Sequence, residues 1–595
     1  MSQAAAARPA AARAAGQGTP KSGRGCAADS TPLPAGFTVA FDQGTKELGD
    51  GSLFGGSPAR VLKLTPTGSA ALAELRAGPV SSPAAAALAR RLTDAGLAHP
   101  IPPPAAAAVD VRAAAAADVP AAAAPDVTIV IPVRDRAAML DRCLAAAAQR
   151  YPVIVVDDGS ADPDAVAAIA ARHGAALRRR EANGGAGPAR NTGLAGVTTS
   201  LIAFLDSDCI PASDWIAALA PHFRDPLVGA VAPRIVVPPA TGAAQPSAVR
   251  YAAVRGSLDL GGSPARVLPG GRVTYVPTAA LLVRREALAS VARPAGREPS
   301  GLNPAGREPS GLNPAGREPS GLNPAGREPD GRAGANDSNS ARSTEIFDPA
   351  LRYGEDVDLI WRLHDAGWRI RYDPAVQVPH DGPATWPGLL GRRFWYGTSA
   401  GPLARRHPAN MAPLVLQPWP TVTVAALLSG RPVAAAAAAT AGWLHLMDTV
   451  RRAGVPADGA AAATVEAARQ TWLGIGRYTT QFAAPVLVAA LVRPGGRTPG
   501  RRWGRRAAVA SLLFGPALTS YGERKPDLGR VSFTLGQLAD DICYGAGVWA
   551  GCLRERTIAP VRPAISWRMF RVSGPPQPAA AQERQERKPA PAAHA

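Results

Sequence analysis

The sequence predicts an α/β protein: a central parallel sheet, a small α+β unit before it, and an apolar helical region after it. Three observations predict this. Between residues 126 and 400, short apolar runs alternate with helical stretches, the pattern of strands joined by crossover helices of roughly 10–15 residues. Two of those runs end in paired carboxylates, Val155 to Ser160 (VVDDGS) and Ala203 to Asp208 (AFLDSD). Beyond residue 411 the chain becomes apolar in patches with basic flanks.

In chain order, residues 1–30 are Ala, Gly, Arg and Ser with few large apolar side chains, and read as a disordered tail. In residues 31–103, Phe37, Val39 and Phe41 alternate as in a strand, and Val61, Leu62 and Leu64 form a second. Thr65-Pro66-Thr67 opens a helix, with Pro suited to the first turn. Leu72 and Leu75 share one face of it; a second helix carries Leu88 and Leu92 and stops around Gly96. Residues 104–125 are Ala, Pro and Val with almost no charge, a linker.

The central domain covers residues 126–405. Strands are expected over Val127 to Val133, Val153 to Val156, Ala175 to Arg179 and Leu201 to Leu205. Helices are expected over Arg136 to Gln149, Asp164 to His173 and Trp215 to Phe223. A low-complexity insertion at 294–344 interrupts this domain: the decapeptide PAGREPSGLN occurs three times between Pro294 and Asn323 and then decays. It reads as a replication-slippage expansion in a surface loop, where long insertions cost little stability.

Residues 406–570 carry apolar runs at Ala412 to Leu428, Pro432 to Met447, Phe482 to Val492 and Ala507 to Leu518. A membrane span needs about 20 apolar residues, and none of these runs clearly reaches that. Arg451, Arg452, Arg493, Arg501, Arg502, Arg505 and Arg506 flank them. The expectation is a set of interfacial helices on an anionic membrane surface, with one or two spans, or a soluble helical domain, as alternatives. Residues 571–595 are a polar, Pro-rich tail.

The 595 residues carry 65 Lys+Arg against 46 Asp+Glu, a formal charge of +19. This suits an anionic partner, although heavy Ala, Arg, Gly and Pro usage also points to codon bias. Nucleic acid is excluded as that partner, because aromatics are only 5% and the basic residues are scattered or in tails. The five cysteines form no CxxC pair and imply a reducing compartment. No apolar signal-peptide core opens the chain.

In open parallel sheets ligands sit beyond the carboxyl ends of the strands, so the two acid-ending runs place several carboxylates at one crevice. A carboxylate cluster beside a polyanion needs a divalent cation between them, and a hard cation takes oxygen ligands. The residues therefore point to a metal–nucleotide-sugar site. In Asp206-Ser207-Asp208, Asp208 is the closer metal ligand and Asp206 contacts the ribose or shares the metal; the alternative is a helix cap. Asp157 and Asp158 can accept from a base N–H or a ribose hydroxyl, or else close a turn. Asn183 to Gly193 (NGGAGPARNTG) lets backbone approach a phosphate, and Arg190 complements a diphosphate. Asp356, at a helix start in Gly354 to Asp358, is the candidate base for an acceptor hydroxyl, or a carboxylate complementing the helix dipole. His380 follows a strand-like stretch and either completes the metal shell or is structural. The cluster Arg392 to Tyr396 (RRFWY) covers the donor or forms a membrane or interdomain face. Glu355, Trp361, Arg393 and Trp395 are the acceptor-side candidates.

Together these residues resemble the family-2 inverting glycosyltransferases of the GT-A fold, over about residues 126–400. The resemblance rests on IPVRDR (Ile131 to Arg136), DDGS, the ARN segment, DSD and GED, in that order. It implies a Rossmann-like nucleotide-sugar domain, Mn²⁺ or Mg²⁺, and direct displacement with inversion. By position it implies Asp158 as base or ribose contact, Asp208 as metal ligand and Asp356 as general base. Pro132, Arg134, Asp157, Arg190, Asn191 and Asp206 fall on the donor side, and His380 with the metal. The QxxRW of processive members is absent, so long polymerisation is not implied.

The N-terminal segment, ARNTGLAG, GEDVDLIWRL and WYGTSAGPLARRHP are further similar to the glycosyltransferases of mycofactocin biosynthesis. That resemblance implies UDP-glucose as donor, and as acceptor the peptide-derived redox cofactor mycofactocin, carrying a short β-linked glucan. The reducing compartment and the basic-flanked apolar runs place the chain at the cytoplasmic face of the cell membrane, peripheral or with one or two spans. The N-terminal unit is similar to PqqD-like peptide-recognition domains, where an extended peptide adds to a sheet edge. A lipid-linked or cell-envelope glycan is the alternative acceptor.

Overall fold

The computed structural model describes residues 31–48, 51–103, 125–148, 150–238, 245–294, 344–452, 460–492, 499–567 and 571–573. The expected N-terminal tail, most of the linker, nearly all of the repeat insertion, Arg493 and residues 574–595 lie outside the described residues.

The N-terminal unit is α+β. Strand β1 (Thr38–Phe41) pairs antiparallel with β5 (Ala98–Ile101), and β2 (Lys46–Glu47), β3 (Leu53–Gly55) and β4 (Arg60–Leu62) form a meander. Helices α1 (Pro66–Ala77) and α2 (Pro83–Ala95) both begin with Pro, which needs no N–H in the first turn. Their N-caps Thr65 and Ser82 accept from the amides of Gly68 and Ala85. Phe37, Leu72, Leu75, Leu88 and Leu92 meet in one core. Guanidinium–carboxylate pairs seat this unit on the next domain. Arg90 grips Asp225 through two bonds of 2.8 and 2.7 Å, Arg369 and Arg266 hold Asp94, and Arg272 holds Asp42.

The central sheet has eight strands. They are β6 (Val127–Val133), β7 (Val153–Asp158), β8 (Ala176–Arg180), β9 (Leu201–Leu205), β10 (Val228–Val236), β11 (Ala265–Val267), β12 (Ala280–Arg284) and β15 (Arg369–Pro379), in the order β11-β15-β10-β12-β9-β6-β7-β8. Helices α3 (Ala137–Ala147), α4 (Pro163–Arg172) and α5 (Ala186–Leu194) make the crossovers of the β6 to β9 half, which is parallel as expected. The expected helix from Trp215 to Phe223 is a short α6 (Trp215–Leu219) running into a 3₁₀ turn, Ala220–Arg224. The sheet as a whole is mixed, which corrects the all-parallel expectation: β12 runs antiparallel to both β9 and β10, and β11 antiparallel to β15. Ala280 to Val283 are all buried, so the strand shows no alternation, and an unbroken apolar run carries no record of its direction. Helices α7 (Ser247–Arg255), α8 (Arg285–Ser290) and α9 (Glu355–Asp365) complete the domain. The repeat leaves and returns through a two-residue ladder, β13 (Arg293–Pro294) against β14 (Thr344–Glu345), so its ends lie side by side.

The C-terminal part is helical: α10 (Trp386–Thr398), α11 (Ala400–Arg406), α12 (Pro418–Leu428), α13 (Pro432–Arg452), α14 (Ala460–Val492), α15 (Pro499–Arg524) and α16 (Arg530–Arg554). Among the described residues α14 alone is long and apolar enough to cross a membrane, by length and composition. Helix α16 lies on α10 and α11 at backbone contact. A Cβ on Gly547 would overlap the Phe394 carbonyl, and one on Gly551 the Thr398 carbonyl. Short strands close the region. β16 (Val415–Leu416) pairs with β17 (Ala564–Ile565), and β18 (Arg571–Ser573) adds in parallel to β4. Large apolar side chains stay exposed on these helices, among them Val433 at 83% and Trp503 at 70%.

Candidate active site

The acid-ending strands do converge. They open onto a cavity of about 1380 Å³ that also receives the start of α9 and the helices α10, α14 and α16.

Asp158 lies in this cavity at the end of β7. Its carboxylate accepts from the amides of Gly184 (3.1 Å) and Gly185 (2.7 Å) and from Arg180 Nε (2.8 Å). The β7–β8 register sets Asp158 opposite Arg180, which is why that contact forms. Asp157 points the other way, since successive strand residues face opposite sides. It is buried, accepts from the Ser160 amide at 2.9 Å and pairs with Arg179, so it closes the turn and does not line the cavity. Of the two, Asp158 alone lines the cavity. Pro132 lines the cavity, and Arg134 stands at its mouth, half-exposed and paired with Asp135 at 3.3 Å.

The antiparallel β12 sets the second acidic turn: the Asp206 amide donates to the Ala279 carbonyl at 2.9 Å. The end of β15 comes alongside. Asp381 donates its amide to the Asp208 carbonyl, and His380 pairs with Cys209 in a β-bridge. His380 Nε2 thereby lies 3.4 Å from Asp208 Oδ1, while Arg136 pairs with the other oxygen. Burial pushes the Asp208 carboxyl up, but the His380 hydrogen bond and charge, with Arg136 and Arg392, bring it down to about 2. The carboxylate oxygen and imidazole nitrogen suit a divalent cation, and two neighbouring ligands of one ion stand about this far apart. Among the described residues no group of three or more His, Cys, Asp or Glu joins them.

Arg190 is buried and bridges two carboxylates, Asp206 at 2.7 Å and Glu355 at 3.0 Å, with its guanidinium 5.6 Å from the Phe347 ring centre. Arg190 lines the cavity on the side expected of a donor-binding residue, with its charge shared between the two acids. Asn191 is the other donor-side candidate of this segment. It clamps backbone, donating to the Phe347 carbonyl at 2.7 Å and accepting from the amides of Ile346 and Phe347, and it is not in the cavity wall.

Helix α9 starts after Gly354, whose φ of +81° is a left-handed backbone that favours glycine. Asp356 follows at the cavity wall and, among the described residues, accepts only its neighbour's amide, Val357, at 2.8 Å. Burial first, and the adjacent Glu355 second, push its carboxyl up to about 7. Burial also raises Glu355, against the pull of Arg190. Trp361, expected on the acceptor side, is mostly core: it is buried, donates to the Thr274 carbonyl at 2.9 Å and meets His407 edge-on. Trp395 is half-exposed and stacks on Tyr353 with ring centres 6.0 Å apart. Arg393 pairs with Asp540 and lies 5.2 Å from the Tyr544 ring centre.

Sequence reasoning missed several residues of the wall. Arg136 was inside the IPVRDR run and carried a signal. Tyr275, Arg477, Gln481 and Tyr544 carried none, because no local motif marks them; packing alone brings them to the cavity.

The family model for glycosyl transferase family 2 matches residues 128–291. The chain is 33% identical over 560 residues to a pre-mycofactocin glycosyltransferase of Mycobacterium tuberculosis (strain CDC 1551 / Oshkosh), an alignment covering 90% of this chain and 99% of that protein. It is also 36% identical over 101 residues to the glycosyltransferase AglE of Haloferax volcanii, covering 15% of this chain and 33% of that one. Among solved structures, a mannosyltransferase from Pyrobaculum calidifontis in complex with GDP-Man and Mn²⁺ aligns loosely. It shares 18% identity, covers 66% of this chain and 87% of that one, and has a TM-score of 0.29. Identity sustained over 90% of the sequence, together with the family-2 match, makes this chain a member of the pre-mycofactocin glycosyltransferases, family-2 enzymes of mycofactocin biosynthesis.

Proposed function

We propose that the enzyme transfers glucose from UDP-glucose to a hydroxyl of pre-mycofactocin, inverting the anomeric centre and building a short β-glucan. One observation carries this reading: Asp356, a carboxyl poised at about 7, faces the same cavity as Asp158 and the Asp208–His380 pair. A base with a pKa near the working pH is the best compromise between being deprotonated and being able to take a proton. Of the three carboxyls in the first turn of α9, Glu355 is engaged by Arg190 and Asp358 by Arg362 and His407, which leaves a single base and suits a single displacement. The acceptor oxygen bonds to the anomeric carbon as the bond to the diphosphate oxygen breaks, and the hydroxyl proton passes to Asp356. UDP leaves.

Asp208 and His380 would hold Mn²⁺ or Mg²⁺, and Asp206 stands beside them. Such a cation, when bound, neutralises charge on the departing diphosphate. Asp158, with Pro132 and Arg134 at the cavity mouth, takes the nucleoside side of the donor. Alignment of the acceptor hydroxyl opposite the leaving group supplies the remaining rate enhancement.

The N-terminal unit is proposed to recognise peptide-derived features of the substrate at a sheet edge. The exposed apolar helices, with Trp503 among Arg502, Arg505 and Arg506, support docking to an anionic membrane surface at the cytoplasmic face. The same apolar surface supports the second reading, in which the acceptor is a lipid-linked or cell-envelope glycan.

The test is a metal-supplemented assay with purified enzyme, pre-mycofactocin, and either UDP-glucose or GDP-mannose, read by mass spectrometry and by NMR of the new linkage. Hexose addition from UDP-glucose alone, in β linkage, is expected. An α linkage would remove the inverting mechanism, and transfer only from GDP-mannose would remove the donor assignment.

A further inference from the structure

One part of the cavity wall is built by the C-terminal helices, and its chemistry differs. Two adjacent acids on α16, Asp540 and Asp541, are both 2% exposed. Buried carboxylates are costly unless paired, and each of these is paired with a side chain of the cavity wall. Asp540 holds Arg393 of α10. Asp541 accepts from Gln481 Nε2 at 3.0 Å and lies 3.4 Å from Arg477 Nε, both from α14. Gly545 makes this possible, since a Cβ there would overlap the Gln481 carbonyl. Helix α16 thus sits at backbone contact with α14 on one side and α10 on the other, with its two acids aimed outward at both.

Arg477 is half-exposed and lines the cavity. Its Nε faces Asp541, and its two terminal nitrogens have no hydrogen-bond or ion-pair partner among the described residues. Aromatic rings surround the space: the Tyr353–Trp395 stack, Tyr544 under Arg393, and Tyr478 edge-on to Phe482 at 5.0 Å. The cavity, at about 1380 Å³, exceeds the ~300–1,000 Å³ that one small ligand usually fills, so it has room for an acceptor beside the donor. Two further cations, Arg136 and Arg392, act on Asp208 and would serve the donor's diphosphate.

We propose that this helical end is the acceptor subsite, in which Arg477, oriented by Asp541, binds a carbonyl or carboxylate oxygen of the acceptor while Trp395 and Tyr544 pack against its planar or sugar rings. The inference rests on Asp356 being the base that faces the acceptor, and it deepens the proposed function by assigning the ligand chemistry of that side. Arg477 is a binding residue in it, and Asp541 a positioning residue.

The experiment is calorimetric titration of the full chain with pre-mycofactocin, and separately with UDP-glucose, for the parent, R477M, R477K and D541N. R477M should weaken pre-mycofactocin binding about tenfold or more, the worth of one charge-assisted hydrogen bond, and UDP-glucose binding by less than about twofold. R477K should recover part of the loss, because a point charge replaces a fork. D541N should weaken acceptor binding by a smaller factor than R477M, while thermal unfolding reports its folding separately. Acceptor affinity within twofold of the parent in R477M would overturn the proposal. So would equal weakening of acceptor and donor, which would move Arg477 to the donor side. Acceptor binding is measured without a donor, so rejection of UDP-glucose would sink the donor assignment and leave this test intact.

Discussion

The two ends of the cavity are made by different means. The strand end is made of residues close together in sequence: Asp206 and Asp208 share one turn, and Asp158 closes the strand two places over in the sheet. The helical end gathers Arg393, Arg477, Gln481, Asp541 and Tyr544 from three helices packed glycine to carbonyl. On the proposed reading, the difference teaches that group-transfer chemistry needs a few fixed acids, whereas substrate choice is left to a surface that can change without disturbing them. On that reading the strand-end carboxylates face a cation or a proton, whereas the guanidinium groups and rings of the helical wall face oxygen atoms and planar surfaces.

The comparison breaks most sharply at Asp356, between the two ends. D356N should lower kcat by about 10²- to 10⁴-fold, the usual worth of a positioned base, while UDP-glucose affinity measured by calorimetry stays near the parent's. Normal turnover would dismiss Asp356 as the base.

The same residue predicts a pH signature. Its carboxyl is raised to about 7, so kcat/KM for the acceptor should climb with pH through an apparent pKa near 7 and level off above it, and D356N should lose that limb. Its effect on stability has the opposite sense. A carboxyl raised in the folded state contributes stability that is fully present below its unfolded value and lost as pH rises through about 7. D356N should accordingly be more stable than the parent above pH 7, by an amount on the order of a few kcal/mol, and the two should converge below pH 4. Denaturant unfolding at both pH values checks this.

At the helical end, G547V should cost about 1–3 kcal/mol of stability by forcing α16 off α10. The metal-side residues lie on the sheet, so donor affinity should fall less than acceptor affinity. Unchanged unfolding would show that the close approach tolerates a side chain.

The smallest effect belongs to the repeat. Deleting residues 296–342 should leave transfer rates unchanged and raise stability by no more than about 2 kcal/mol, because β13 and β14 already hold the ends together. A large loss of activity would give the repeat a function.

Much of the strand end was legible in advance. Apolar runs ending in DDGS and DSD mark buried strands and their turns at short range, and the order of motifs along the chain is the family's own. Legibility stopped where a residue's role depends on a distant partner. Asp157 and Asp158 are neighbours with the same side chain, and only the pleat separates them into a turn-closing residue and a donor-side one. Arg190 reads as a cavity cation from its motif, but that Asp206 and Glu355, the latter far along the chain, share its charge is visible only in the fold. Asn191 reads as donor-side until Ile346 and Phe347 arrive on its amide.

The sequence by itself determined the strands of the β6 to β9 half, the acidic turns at their ends and the family membership, since these depend on local apolar patterning and on motifs a few residues long. Tertiary structure alone decided the antiparallel β12 that braces Asp206, the strand-end meeting of Asp208 with His380, and the helical wall around Arg477. The physical reason is the same in each case: direction, pairing and charge at these positions are set by contacts between segments far apart in the chain, which no local pattern encodes.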